Sequence, residues 1–221
     1  MTTNPTNPIN SLSASNVPHR LATDTDDGLL LIISGPSGVG KTTVTRGVER
    51  SIPGSVFSVS ATTRAKTAVD VEGVDYHFVT EEQFDQMIAQ NEFLETAGLY
   101  GKRYGTPAAP VQEHLRRGRL VILEIDVQGA IQVKRQMPDA FGIFIEPPSE
   151  EVLLQRLKDR KREDESLIEK RFAKAKEEMG QAHKSGVYSV FLLNDDLERT
   201  IKRAVDLVKA ERARRRIERR K

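Results

Sequence analysis

The chain has no cysteine, so it can form neither a disulfide framework nor a site that depends on a thiolate nucleophile or thiolate metal ligands. No apolar run approaches the roughly 20 residues that a membrane-spanning helix needs. The N-terminus also lacks the basic and then apolar pattern of a secretory signal. We therefore expect a cytoplasmic protein without membrane partners.

The four histidines, at positions 19, 77, 114 and 183, are scattered and show no metal-ligand spacing. None of them suggests a catalytic base. With 221 residues, the chain is long enough for one domain with a substantial core, or for a core that carries small inserted subdomains.

Charge and composition are uneven at the two ends of the chain. Residues 212–221 carry seven Lys or Arg and one Glu, so the overall net charge of +2 becomes −4 without them. Since no aromatic residue is interleaved for base stacking, we interpret this basic tail as a solvated helix end and expect no nucleic-acid partner. Residues 1–27 hold few large apolar side chains, and we expect them to form a disordered extension.

One segment carries most of the functional information. Residues 35–42, Gly-Pro-Ser-Gly-Val-Gly-Lys-Thr, match the phosphate loop G-x-x-x-x-G-K-[ST] and directly follow an apolar run at 29–33. Glycines let backbone N–H groups approach phosphate oxygens, and a helix that begins near Lys41 turns its positive end toward the same anion. Lys41 adds a charge for the β- and γ-phosphates, and the Thr42 hydroxyl can bind Mg²⁺.

Apolar runs at 120–123 and 140–145 predict further buried parallel strands, and residues 187–193 predict the last strand. Amphipathic helical stretches alternate with these runs, so we predict an α/β fold with a doubly wound parallel sheet. The carboxylates of Glu124 and Asp126 follow the strand at 120–123 and should lie at the edge where open α/β sheets bind ligands. A β-rich insert at 60–110 and a charged helical insert at 150–175 interrupt the pattern.

Local signals set several boundaries. Thr80 and Gln83 have capping-box spacing and should open a helix that buries Phe84, Met87 and Ile88. Short strands should surround a turn at Gly98, and a helix over 107–117 should stop at Gly118. Ser149 should cap a charged helix that runs through residue 160, followed by a second helix over about 165–179. Asp195 or Asp196 should cap the terminal helix.

Seven short motifs follow the phosphate loop in a fixed order. They are Ser58-x-Ser60, Thr62-Thr-Arg64, Gly73-x-x-Tyr76, Glu92-x-x-Glu95, Tyr104-x-Thr106, Leu123-Glu-Ile-Asp-x-Gln-Gly129 and Asn194-Asp-Asp196. With an intact phosphate loop, this series resembles the guanylate kinase family over residues 29–211. The resemblance implies a phosphate-loop NTPase core at 28–59, 111–149 and 176–211. It also implies a GMP-binding insert at 60–110, a lid at 150–175 and a basic tail at 212–221.

The resemblance also implies a role for each matching residue. The cofactor MgATP should be held by Gly35, Pro36, Ser37, Gly38, Val39, Gly40, Lys41, Thr42 and Thr43, with Asn194 near the adenine. The guanine readers should be Ser60, Glu95 and Thr106, and the GMP phosphate should be held by Arg64, Tyr76 and Tyr104. Glu124 and Asp126 should lie near GMP, with Thr42 and Asp126 at the Mg²⁺. The catalytic cations should be Lys41, Arg64, Arg156, Arg160 and Arg171.

The chemistry of guanine agrees with these residue types. Guanine offers N1–H and the N2 amino group as donors and O6 as an acceptor, so a carboxylate at Glu95 can accept from both donors while hydroxyls donate to O6. Adenine would leave that carboxylate facing a lone pair, and unpaired buried polar groups reject a substrate strongly. The attacking GMP phosphate oxygen is already ionised. Catalysis then needs alignment and positive charge rather than a strong base.

Two positions depart from the family. In the loop that follows Thr-Thr-Arg the family usually carries Pro-Arg-x-Gly-Glu, whereas here Thr67 takes the place of the second arginine and Lys66 is adjacent to it. We expect Lys66 to compensate as a point charge for the GMP phosphate. In the lid, Lys161 stands where a glycine commonly follows the second arginine.

The sequence thus predicts an ATP-dependent kinase that converts GMP to GDP, as a monomer or small homo-oligomer with GMP and ATP as its substrates. One alternative is a kinase of the same fold that acts on a phosphorylated sugar, which would not need Glu95 with Ser60 and Thr106. Another is a non-catalytic guanylate-kinase-like binding module, a class in which the phosphate loop is typically degraded.

Overall fold

A five-stranded parallel sheet forms the centre of the computed structural model, which describes residues 28–99, 101–159 and 165–219. Its strands are β1 (Leu29–Ser34), β2 (Val56–Phe57), β7 (Leu120–Glu124), β8 (Phe141–Glu146) and β9 (Val190–Leu193). They are ordered β2-β7-β1-β8-β9. Since β7 and β8 lie on opposite sides of β1, the chain changes direction across β1. The carboxyl end of β1 is therefore the point where such sheets bind ligands.

A second sheet lies in the insert between β2 and β7. It has four strands, β3 (Ala61–Thr62), β4 (His77–Phe78), β5 (Phe93–Leu99) and β6 (Lys102–Pro107), in the order β4-β3-β6-β5. The pair β5–β6 is antiparallel and sets Glu95 opposite Thr106.

Seven helices complete the described residues: α1 (Lys41–Ser51), α2 (Glu81–Ala89), α3 (Ala108–Arg116), α4 (Val127–Gln136), α5 (Glu150–Lys158), α6 (Glu165–Ser185) and α7 (Leu197–Glu218). Side chains that alternate along β1 belong to two separate cores. Leu31 shares one core with residues of α1 and α7, whereas Ile32 shares the other with residues of α3, α4 and α6. Helices therefore cover both faces of the sheet, which confirms the predicted doubly wound α/β fold.

The predicted caps are present where the structure describes them. The Thr80 side chain accepts from Gln83 N, and the Gln83 side chain accepts from Thr80 N, so both bonds of the capping box form. Ser149 caps α5, and Asp196 rather than Asp195 caps α7. Gly118 follows α3 with φ 73°, as expected for a glycine stop.

Several local predictions were wrong. Ile88 is 42% exposed, because only Phe84 and Met87 of α2 face the insert core. Gly98 lies inside β5 opposite Arg103, and the turn comes later, at Gly101, whose φ of 72° favours glycine. Helix α4, which begins directly after Asp126, was not predicted at all.

One helix is longer than the sequence pattern suggested, and the last helix includes most of the basic tail, which we interpret from the sequence as a helix end. Helix α6 continues to Ser185, beyond both the predicted helix end near 179 and the expected lid boundary at 175. Helix α7 continues to Glu218, so residues 212–218 of the basic tail extend the last helix without a break.

The expected extension at 1–27, Arg160, Lys161 and the last two residues lie outside the described residues. Within the described ranges, no helix combines the length and apolar character required to cross a membrane.

Candidate active site

The phosphate loop joins β1 to α1 and depends on its glycines. Gly38 and Gly40 have φ values of 87° and 94°, a left-handed backbone that other residues rarely adopt. At Gly35, a Cβ atom would lie 2.6 Å from the Ile145 carbonyl oxygen, so no side chain fits there. Helix α1 begins at Lys41, as predicted, and turns its positive N-terminal end toward the loop.

Lys41 folds back across this loop. Its Nζ donates to the Gly35 carbonyl oxygen at 2.9 Å. The ammonium group is thus held at the mouth of the loop, where a phosphate bound by the loop would meet it.

Thr42 connects the loop to the neighbouring strand. Because β1 and β7 pair with Ile33 opposite Glu124, the Glu124 side chain lies beside the start of α1. The Thr42 hydroxyl donates to Glu124 Oε1 at 2.6 Å. With its hydrogen used on Glu124, the Thr42 oxygen can offer its lone pairs to a cation.

Asp126 has a structural role beside its position in the cleft. It is the N-cap of α4, and its Oδ1 accepts from Gly129 N at 2.8 Å. One carboxylate oxygen is therefore committed to the helix and the other, Oδ2, is left for a ligand.

Glu95 is a buried carboxylate in the insert. Glu95 and Thr106 are 5% and 1% exposed, and the Thr106 hydroxyl donates to Glu95 Oε1 at 2.6 Å. Burial raises the pKa of Glu95 to about 7, although the Thr106 hydrogen bond acts in the opposite direction. The single hydrogen of Thr106 is used on Glu95. Of the two hydroxyls predicted to read guanine, Ser60, which lines the cleft, therefore remains to donate to a ligand.

Helix α4 fixes the strand that carries Glu95. The Gln132 side chain accepts from Thr96 N at 3.0 Å and donates to Thr96 O at 2.9 Å, as a neighbouring strand would. Gln136 donates to the Leu94 carbonyl oxygen at 2.9 Å. A Cβ at Gly129 would lie 2.9 Å from Glu95 Oε2, so this glycine leaves the space that the carboxylate occupies.

Arg64 lies beside the two predicted phosphate-binding tyrosines. The rings of Tyr76 and Tyr104 meet edge to face at 5.7 Å, and Arg64 Cζ is 5.2 Å from the Tyr76 ring centroid. Asp70 pairs with the Arg64 guanidinium through two hydrogen bonds of 2.9 Å. Lys66 is exposed and is not among the residues that line the cleft.

Two of the three predicted lid arginines are described, and both contact the phosphate loop. Arg171 donates to the Ser37 hydroxyl at 2.6 Å. Arg156 donates to the carbonyl oxygens of Asn194, at 3.0 Å, and Val39, at 3.4 Å. Asn194 is 5% exposed and also donates to the Val39 carbonyl oxygen, at 2.7 Å. Arg156 and Asn194 thus brace the loop.

A cleft of about 390 Å³ brings most of these groups together. Its lining includes the predicted residues Ser37, Lys41, Ser60, Tyr76, Glu95, Tyr104, Glu124, Asp126 and Arg171. Arg64, Lys66, Thr106, Arg156 and Asn194 are not part of the lining. The phosphate loop and the buried Glu95 carboxylate therefore face the same cleft.

Lys174 and Glu178 also line the cleft, and sequence reasoning missed both. Burial raises the pKa of Glu178, and the charge of Lys41 partly opposes that shift. They follow Arg171 by three and seven residues, which places all three on one face of α6. That helical spacing was the signal that could have identified them.

The sequence comparisons with known proteins identify one family. The family model for guanylate kinase matches residues 28–211. The chain is 45% identical to a guanylate kinase of Carboxydothermus hydrogenoformans over 174 residues, 79% of this chain and 84% of that protein. It is 43% identical to a guanylate kinase of Symbiobacterium thermophilum over 187 residues, 85% and 87% of the two chains.

A solved structure gives the same result. The crystal structure of guanylate kinase from Anaplasma phagocytophilum superposes with a TM-score of 0.66 at 29% sequence identity. The match covers 86% of this chain and 89% of the other.

Proposed function

Because this chain belongs to the guanylate kinase family, we propose that its cleft binds GMP beside Glu95 and ATP at the phosphate loop. The enzyme transfers the γ-phosphoryl group of ATP to GMP and forms ADP and GDP. The observation that carries the proposed binding mode is the position of buried Glu95, which lines the same cleft as Lys41 of the phosphate loop. We propose a cytoplasmic enzyme that works as a monomer or small homo-oligomer.

Guanine recognition is assigned to Glu95 and Ser60. Ionised Glu95 accepts from N1–H and the N2 amino group, and the Ser60 hydroxyl donates to O6. Thr106 supports this arrangement by holding Glu95 Oε1. Adenine and the pyrimidines do not present the same pair of donors, so they would leave a buried carboxylate unsatisfied.

The GMP phosphate is assigned to Arg64 with the hydroxyls of Tyr76 and Tyr104, which line the cleft. Lys66 adds a further positive charge from the exposed loop. A charged donor gives stronger hydrogen bonds to phosphate than a neutral one, so Arg64 should be the main contact.

Mg²⁺ fits the oxygen donors at the carboxyl end of the sheet. Thr42 directs its hydrogen to Glu124, which leaves its lone pairs outward, and Asp126 keeps one carboxylate oxygen for a ligand. Hydroxyl and carboxylate oxygens of this kind are what Mg²⁺ prefers, together with substrate phosphates. When bound, the ion neutralises charge on the β- and γ-phosphates of ATP.

The protein contributes alignment and positive charge to the transfer step. In this proposal the loop glycines and the start of α1 hold the ATP phosphates. Lys41 and Arg171, which contact Gly35 and Ser37 of the loop, supply positive charge to the transferring group. The GMP phosphate oxygen needs no base, because it is already ionised at neutral pH. Catalysis thus rests on position and on charge stabilisation in the transition state. Arg156 supports Lys41 and Arg171 by holding the phosphate loop in place. We propose that Arg160 contacts the ATP phosphates when the lid closes.

The two alternatives are not favoured. A sugar-phosphate kinase would have no use for a buried Glu95, and a non-catalytic module would not need Lys41 in an intact phosphate loop. A coupled assay of ADP formation separates them, with GMP, AMP, CMP, UMP and ribose 5-phosphate as acceptors. We expect turnover with GMP far above that with the others. Equal turnover with AMP, or preference for ribose 5-phosphate, would overturn the assignment.

A further inference from the structure

Arg64 is held in place by one particular carboxylate. Asp70 Oδ2 accepts from Arg64 Nη1 and Asp70 Oδ1 accepts from Nη2, both at 2.9 Å. The Asp70 side chain is only 12% exposed and that of Arg64 is 28% exposed, so the pair is shielded from much of the solvent. Two parallel bonds of this kind fix the plane of a guanidinium as well as its position.

The pairing leaves one edge of Arg64 for a ligand. Nη1 spends its second hydrogen on the Ala65 carbonyl oxygen at 3.2 Å. Within the described part of the chain, Arg64 Nε and the second hydrogen of Nη2 make no hydrogen bond. These two N–H groups form the side edge of the guanidinium, which matches two phosphate oxygens.

Thr67 in turn fixes Asp70. Its backbone N–H and its hydroxyl both donate to Asp70 Oδ2, at 2.7 and 2.6 Å. Thr67 stands where the family usually has a second arginine. In this chain the position therefore orients the carboxylate that orients Arg64, instead of supplying a second guanidinium.

The contacts among Arg64, Thr67 and Asp70 indicate that Asp70 orients Arg64 in advance, and does not merely neutralise its charge. Asp70 Oδ2 accepts from three donors, so Thr67 as well as Arg64 stabilises its negative charge. Arg64 is charged at neutral pH like any arginine, and its hydrogen bond to Asp70 raises its pKa further. A side chain that is already oriented loses less freedom when phosphate binds.

We infer that Asp70, fixed by Thr67, is a positioning residue that holds the side edge of Arg64 ready for the phosphate of GMP. This inference rests on the proposed role of Arg64. A phosphate held by one oriented guanidinium should depend strongly on that orientation, and ATP binding at the phosphate loop should not.

Asp70→Asn is the main test, because it keeps the volume and turns an amide N–H₂ toward one of the Arg64 nitrogens. We expect KM for GMP to rise about tenfold, with kcat and KM for ATP within about twofold of the parent enzyme. Asp75→Asn is the matched control, since Asp75 is a carboxylate of the same loop that accepts from Val71 N rather than from Arg64. It should leave all three constants within about twofold.

A double-mutant cycle separates this inference from the proposed function. If Arg64→Ala leaves KM for GMP unchanged, the role of Arg64 itself is wrong. Suppose that Arg64→Ala raises KM for GMP, whereas Asp70→Asn leaves that KM unchanged or lowers it. Only the positioning role of Asp70 is then overturned. In the Arg64→Ala background, Asp70→Asn should add nothing, and a further full loss there would also overturn the inference.

Thr67 provides a second test that leaves Asp70 intact. Thr67→Val removes the hydroxyl but keeps the backbone N–H, so KM for GMP should rise about threefold. Thr67→Ser restores the hydroxyl and should return KM to the parent value. An equal KM in the valine and serine variants would contradict the role of the hydroxyl.

Discussion

The Thr106 hydroxyl donates a 2.6 Å hydrogen bond to Glu95 Oε1, and both side chains are buried on paired strands. This bond holds one carboxylate oxygen in place before any nucleotide arrives. It also decides which way a substituted side chain at position 95 would point, because an amide oxygen could take the same bond.

Glu95→Gln should therefore lose GMP selectivity. The amide oxygen can keep the Thr106 bond, which turns the N–H₂ group toward the guanine donors. We expect a loss in kcat/KM for GMP of about 2 kcal/mol or more, with KM for ATP little changed. Steady-state kinetics with both nucleotides measure this. Glu82 is an exposed carboxylate on α2, so Glu82→Gln is the control. Unchanged GMP kinetics in Glu95→Gln would place the guanine reader elsewhere.

The raised pKa of Glu95 predicts a pH dependence of GMP binding. Glu95 must be ionised to accept from guanine, and its pKa in the nucleotide-free protein is about 7. Hence kcat/KM for GMP should fall as the pH drops through about 7, whereas kcat at saturating GMP should change less. The GMP phosphate itself has a second pKa of about 6. In Glu95→Gln, kcat/KM for GMP should retain only the step from the phosphate, at about pH 6. The same midpoint at about pH 7 in both enzymes would contradict the assignment of that step to Glu95.

Gly129→Ala tests the space behind Glu95. A Cβ there would lie 2.9 Å from Glu95 Oε2, so the carboxylate must shift. Alanine forms helices better than glycine does, so the melting temperature should stay the same or rise even though GMP affinity is lost. We expect a several-fold rise in KM for GMP. Gly180→Ala in α6 is the control, because its Cβ would meet nothing within 4 Å. A fall in the melting temperature of Gly129→Ala with unchanged KM would show that the glycine serves the fold alone.

Lys66→Ala tests the compensation that the sequence suggested. Lys66 is exposed, so its charge should act weakly and should be screened by salt. We expect a several-fold rise in KM for GMP at low ionic strength that shrinks as salt is added, with KM for ATP unchanged. Lys102→Ala, another exposed lysine of the insert, should change neither constant. An unchanged KM at low ionic strength would leave Arg64 as the main cationic contact.

Much of the fold followed from short-range patterns. The apolar runs identified the central strands, and the glycine-rich segment after β1 identified the loop and the start of α1. Helix α4 was not predicted, because the apolar run before Asp126 indicates only a strand and Gly129 interrupts the helical pattern that follows. The turn was placed at Gly98 because any glycine between strands suggests one, whereas the pairing of Gly98 with Arg103 moves it to Gly101.

Within the site, residue types were easier to predict than their partners. Family resemblance indicated Glu95, Thr106 and Arg64, but no periodicity links Arg64 to Asp70 in an irregular loop. The Thr106–Glu95 bond depends on strand register, and the Gln132–Thr96 bonds join α4 to β5 across 36 residues. Such pairings arise from tertiary structure, so a single sequence does not reveal them.

The most direct test follows the phosphoryl group itself. The protein is incubated with GMP, Mg²⁺ and ATP labelled at the γ-phosphate, and the products are separated. The label should appear in the β-phosphate of GDP at the rate at which ADP forms, and Lys41→Ala should lose most of that rate because its charge acts mainly in the transition state. Recovery of the label as inorganic phosphate without labelled GDP, or near-parent transfer by Lys41→Ala, would contradict the account.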